Sequence, residues 1–215
     1  MGKKKAVGTI QKAKTTMVDS QIGSVEPCES ASLRAKDRLK KHKEDIEAHR
    51  EKYIDERDKA IKGHRKKSIV GAAKAKITEA TGEEAATKYM RKNHPEYELV
   101  SGFVPGTGFD QVYVKRDKNG KIEEYLIVEA KGPGAKLLKT KKKGLQMSKQ
   151  WVLKNAQELR ASKDPYDSQL GENIYDAILD GPPPKISGKI LAVAKNETEA
   201  KEIVPPPPTK GKYNY

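Results

Sequence analysis

Cysteine is nearly absent from this chain. The single Cys28 excludes an intramolecular disulfide and a cysteine-only zinc site. Histidine is also sparse, and His42, His49, His64 and His94 fall in no zinc-ligand spacing. No apolar run is long enough to cross a membrane. The start MGKKKAVGTIQKAK is basic, but no apolar stretch follows it, so no secretory signal is read. Synthesis in the cytoplasm is expected, with any export using a route without a cleavable signal. Internal repeats are absent, and Trp151 is the sole tryptophan.

Positive charge, in contrast, is abundant. Lys and Arg number 44 against 30 Asp and Glu, a formal net charge of +14. Such a balance suits nucleic acid, an anionic membrane surface or an acidic protein partner, beside the plainer role of a solubilising surface.

The chain divides into four parts. Residues 1–30 are polar, with little periodicity, and read as a flexible segment. Residues 31–70 read as a charged helical arm. Leu39, Ile46, Tyr53 and Ala60 recur every seven residues as one narrow apolar seam, widened by Ile54 and Ile61. Such an arm either docks a partner or packs along the main domain. Residues 71–200 hold a mixed α/β pattern. A helical stretch reaches about Asn93, with Gly82 dividing it and Thr81-x-x-Glu84 fitting a capping box. Strands are expected over 97–103, 109–116, 123–131 and 189–195, and an amphipathic helix over 145–160. Residues 201–215 form a proline-rich tail. The fold class expected is α/β (α+β), a mixed sheet flanked by helices and preceded by a long charged helix.

The stretch FDQVYVKRDKNGKIEEYLIVEAKG, residues 109–132, carries the chemistry. Asn119-Gly120 is a strong hairpin turn signal. With these two at the centre of the turn, Asp110 faces Glu129, Val112 faces Ile127 and Val114 faces Tyr125. Opposed residues share one face with Cβ atoms about 4.5–5.5 Å apart, and alternation puts Lys131 on the face of Glu129. Two carboxylates so close need a proton or a cation between them. Mg2+ or Mn2+ suits an oxygen set built from Asp110, Glu129 and the Ala130 carbonyl. Lys131 beside it could orient water or stabilise charge on a phosphate. An ordinary exposed charged hairpin is the plainer reading. The apolar Leu126-Ile127-Val128 run argues for burial instead.

Gly108-Phe109-Asp110 followed by Val128-Glu129-Ala130-Lys131 resembles the PD-(D/E)XK superfamily of restriction-endonuclease-like nucleases, over roughly residues 80–195. Phe109 stands where that family often has proline. The resemblance implies a catalytic set of Asp110, Glu129 and Lys131. It adds a helix glutamate, for which Glu83 fits better than Glu84, and a polar residue from the following helix, Gln146 or Gln150. More narrowly, GTGFDQVY, LIVEAKGPGAKL and QMSKQWV resemble toxin nuclease domains of bacterial polymorphic toxin systems. That likeness implies a DNase delivered into competitor cells, with an acidic cognate immunity protein and a secretion component as partners.

Substrate contacts are expected from Lys136, Lys139, Lys141, Lys142 and Lys143, five lysines in eight residues, with Gln150 beside them. Lysines of this kind hold phosphates without reading bases. Tyr113 and Trp151 could stack on bases, although a sole tryptophan is more often core. DNA is the substrate that the resemblance implies; the residues themselves do not tell DNA from RNA. The alternatives are an RNase of the same fold and a non-catalytic basic nucleic-acid-binding protein.

Overall fold

The computed structural model describes residues 28–102, 108–135, 139–140, 143–181 and 184–203. The chain runs α1 (Cys28–Lys62), α2 (Lys67–Asn93), β1 (Glu98–Ser101), β2 (Gln111–Arg116) and β3 (Ile122–Lys131). It continues through β4 (Lys139–Thr140), β5 (Gly144–Leu145), α3 (Lys149–Arg160), α4 (Pro165–Asp180), β6 (Lys185–Val193) and β7 (Ala200–Ile203). Among the described residues the fold is therefore α+β. A five-stranded mixed sheet in the order β1-β2-β3-β6-β7 carries helices on both faces, and β4-β5 form a small ribbon. No described helix is long and apolar enough to cross a membrane.

β3 is the central strand and is buried from Tyr125 to Lys131. Its side chains alternate between two cores. Tyr125 and Ile127 join Val112, Val114 and Ile190 under Trp151, Val152, Leu170 and Ile174 of α3 and α4. Leu126, Val128 and Ala130 join Tyr113 and Leu191 under Ala85, Ala86 and Met90 of α2. β3 and β6 run parallel, which requires the long crossover through α3 and α4.

α1 packs against α2 and β1. Arg50 pairs with Glu84, Ile46 packs on Ala80, and His42 bonds to Thr87. The seven-residue seam holds at Ile46 and Ala60, while Ile61 is 53% exposed and does not widen it. His42 and His49, three residues beyond Leu39 and Ile46, complete the buried face.

Several local expectations are corrected. α2 is continuous through Gly82, because the Thr81 hydroxyl donates back to the Ile77 carbonyl and caps nothing. Glu84 is held by Arg50 and Lys88. α3 starts at Lys149 with Ser148 as its cap, so Gln146 lies in the preceding turn. α4 is an element beyond those expected, and Asp164-Pro165 is its start: Asp164 accepts from the Tyr166 and Asp167 amides. β7 takes Lys201–Ile203 from the expected tail. Most of the 1–30 segment and residues 204–215 lie outside the described residues.

The hairpin reaches its register by another route. Gly120 N donates to the Asp117 carbonyl and Asp117 N to the Lys121 carbonyl, closing a three-residue loop with Gly120 at φ +82°. A bulge then restores the count: Lys115 opposes Glu124, while Arg116 opposes Ile122. Val112 consequently still opposes Ile127, and Val114 still opposes Tyr125.

Candidate active site

The charged cluster forms where β3 ends beneath α2. Asp110 sits just before β2 and is half-buried. Its Oδ2 accepts from the Ala130 amide at 2.8 Å, which fastens it across the end of β3. Glu129 is 2% exposed and its Oε1 accepts from the Lys131 ammonium and, at 2.7 Å, from Gln146 Nε2. The second oxygen, Glu129 Oε2, is buried without a hydrogen-bond partner.

Glu83 enters from α2. Its position depends on two glycines: a Cβ on Gly82 would lie 2.4 Å from the Gly132 amide nitrogen. A Cβ on Gly132 would lie 1.9 Å from the Thr78 carbonyl oxygen. Only glycine permits this approach of helix to strand. Glu83 is 1% exposed, its Oε2 accepts from Gln111 Nε2 at 2.7 Å, and its Oε1 is buried without a partner.

Burial raises the pKa of all three acids. Glu83 is pushed up to about 8, first by loss of solvent and then by Glu129 and Glu79, against the Gln111 bond. Asp110 is raised well above the usual carboxylate range by burial and by Glu83 and Glu129. Glu129 is raised by burial, with Lys131 opposing. One ammonium thus faces three acids, and the cluster favours an added positive charge, proton or cation.

The expected residues fall into three groups. Asp110, Glu129, Lys131, Glu83, Ala130 and Gln146 meet in one place. Gln150 does not join them; it is exposed on the first turn of α3 beside Gly144. Lys143 bonds to Asn155 and Glu158, both at 2.5 Å. Lys136, Lys141, Lys142 and the Lys139 side chain lie outside the described residues. Tyr113 and Trp151 are core residues. The Tyr113 hydroxyl donates to Gln111 at 2.8 Å, and Trp151 stands edge-on to Phe109 at 5.7 Å, so neither can stack on a base.

Two residues join the cluster beyond those the sequence predicts. Gln111 is wholly buried and orients Glu83, but a glutamine after an aspartate carries no pattern of its own. Glu79, one helical turn before Glu83, adds negative charge to the cluster. The helical i, i+4 spacing of Glu79 and Glu83 was the available signal.

Among the described residues no group of three or more His, Cys, Asp or Glu side chains is set to hold a metal ion. Magnesium, however, commonly takes only one or two carboxylates from protein, with waters and phosphate oxygens filling its shell. The unpartnered Glu129 Oε2 fits that demand. Cavities of about 330 and 510 Å3 lie elsewhere, around α4 and the start of β6. None of the clustered acids lines them, so the cluster is the stronger candidate. No known protein family, curated protein or solved structure matches this chain.

Proposed function

We propose that the chain is a metal-dependent nuclease with a restriction-endonuclease-like core, acting on DNA. The observation that supports this most is Asp110, fastened to the Ala130 amide, standing close to Glu129 and Lys131, with Glu129 Oε2 buried and without a hydrogen-bond partner. Asp110, Glu129 and the Ala130 carbonyl would hold Mg2+ or Mn2+. When bound, the ion supplies Lewis-acid stabilisation of a phosphate and acidifies a water.

The protein groups have separate tasks in this reading. Lys131 presents an ammonium that can orient the attacking water or bind a phosphate oxygen. Gln146 fixes the Glu129 carboxylate, and Gln111 fixes Glu83. Glu83 acts on the site directly or through water. The reaction is hydrolysis: a water oxygen bonds to phosphorus, and a bridging P–O bond breaks. The +14 charge and the lysine run at 136–143 supply backbone affinity without base readout. By the toxin resemblance, the setting is delivery into a competitor's cytoplasm, and an acidic immunity protein covers the site in the producer.

Supercoiled plasmid, incubated with the full chain in Mg2+ with and without EDTA, tests the reading. Nicking and linearisation are expected with Mg2+ alone, and a folded Glu129→Gln variant is expected to lose them. Equal cleavage in EDTA, or full cleavage by that variant, would overturn the assignment. Preferential cleavage of RNA would move the substrate to RNA.

A further inference from the structure

α1 carries none of the clustered acids, yet it is wired to one of them. His42 of α1, Thr87 of α2, Gln111 of β2 and Glu83 of α2 are all at most 3% exposed. They form a continuous chain of hydrogen bonds. Thr87 Oγ1 donates its single hydrogen to the Glu83 carbonyl at 2.9 Å. Thr87 must therefore accept from its other partners. His42 Nε2, at 2.9 Å, is then the donor, so the neutral ring carries its hydrogen on Nε2. Gly102 fixes the ring from behind: a Cβ there would lie 2.3 Å from His42 Nδ1.

Gln111 completes the chain. Its Oε1 accepts from the Tyr113 hydroxyl at 2.8 Å, which sets the amide with Nε2 toward α2. Three acceptors then stand within reach of two hydrogens: the Glu83 carbonyl at 2.9 Å, Glu83 Oε2 at 2.7 Å and Thr87 Oγ1 at 3.1 Å. Thr87 Oγ1 has two lone pairs and takes both His42 and Gln111, whereas the Glu83 carbonyl already receives the Thr87 hydrogen and is the poorer acceptor for Gln111. Gln111 thus keeps a hydrogen for Glu83 Oε2, and Glu83 Oε1 is the oxygen left without a protein partner.

We propose that His42 is a positioning residue that, by orienting the Thr87 hydroxyl, braces Gln111 against Glu83 and so fixes which Glu83 oxygen is offered to the site. For its catalytic consequence this rests on the nuclease reading. It also makes the N-terminal helix part of the working site, with a task beyond delivery.

The test compares His42→Leu, which keeps bulk without a donor, with His42→Gln, whose amide nitrogen can stand where Nε2 does. Thr87→Val removes the shared node. In the full chain, exchange of the Gln111 side-chain amide hydrogens, followed by NMR, is expected to quicken at least 10-fold in His42→Leu and Thr87→Val. His42→Gln should return it toward the original rate. Cleavage is expected to fall about 10-fold in kcat with the DNA KM unmoved, the scale seen when a ligand-orienting partner is lost. Combining His42→Leu with Thr87→Val should add nothing further. Unchanged Gln111 exchange in folded His42→Leu overturns the proposal, whatever the chain cleaves. Absence of cleavage in the unaltered chain with the exchange pattern intact overturns only the nuclease reading.

Discussion

Gly82 of α2 and Gly132 after β3 meet backbone to backbone, so closely that a methyl on either would overlap the other segment. This contact lowers the helix onto the strand end and brings Glu83 beside Gln111, Glu129 and Asp110. The neighbours are backbone atoms, which cannot rotate away.

Gly82→Ala is therefore expected to destabilise the fold although alanine favours helix. Overpacking costs about 1–3 kcal/mol, offset by about 1 kcal/mol of helix propensity. Urea unfolding measures the difference. A variant as stable as the original would show that the crossing has slack.

Asp110→Asn should raise the stability of the metal-free protein at pH 8 by roughly 1 kcal/mol, because it removes one of several acids that repel one another. The amide oxygen can still accept from Ala130. Mg2+ should raise Tm in the original chain and leave the variant unmoved. The opposite pattern would deny a cation site at Asp110.

Metal uptake at pH 7 should release protons. Burial pushes Glu83 up to about 8, so it carries a proton at neutrality that a cation in the cluster displaces; Asp110 and Glu129 are shifted in the same direction. Calorimetric titration with Mn2+ in buffers of different ionisation heat reads the number released. A heat independent of buffer would count against displacement.

His42 links stability to pH. Burial, reinforced by Lys43, lowers its pKa from 6.5 to about 4. Between these values the unfolded chain binds a proton that the folded chain refuses. Stability from this group is thus fully present above 6.5 and falls as pH drops toward 4, by about 3 kcal/mol at the lower end. Glu83, with a raised pKa, acts in the reverse sense as pH climbs from 4.5 to about 8. Unfolding of the original chain and of His42→Gln across pH 4–7 isolates the histidine part. Parallel curves would mean that His42 titrates normally.

The hairpin shows how far local patterns reach. Alternation and the apolar Leu126-Ile127-Val128 run identified β2, β3 and the facing of Glu129 and Lys131, since strand periodicity is a property of neighbouring residues. The turn differs from the two-residue form that Asn119-Gly120 predicts: Gly120 closes a three-residue loop, and the register shift between the Lys115 and Arg116 pairs restores the count. A capping role for Glu84 would leave Glu83 as the site glutamate, but that cap does not form. What separates the two residues is which face of α2 meets the sheet, and the crossing of Gly82 over Gly132 sets that face.

What the sequence determined alone was what has a short period or a count: the missing disulfide, the charge excess, strands β1, β2, β3 and β6, the Ile46 and Ala60 positions of the seam, and the acids and lysine near the hairpin ends. The burial of those acids, the partners Gln111, Glu79 and His42, and the loss of Gln150, Tyr113 and Trp151 from the site were decided by tertiary structure. The reason is physical. Desolvation and hydrogen-bond partnership depend on which distant segments pack together, and 69 residues separate His42 from Gln111 along the chain while one threonine joins them in the fold.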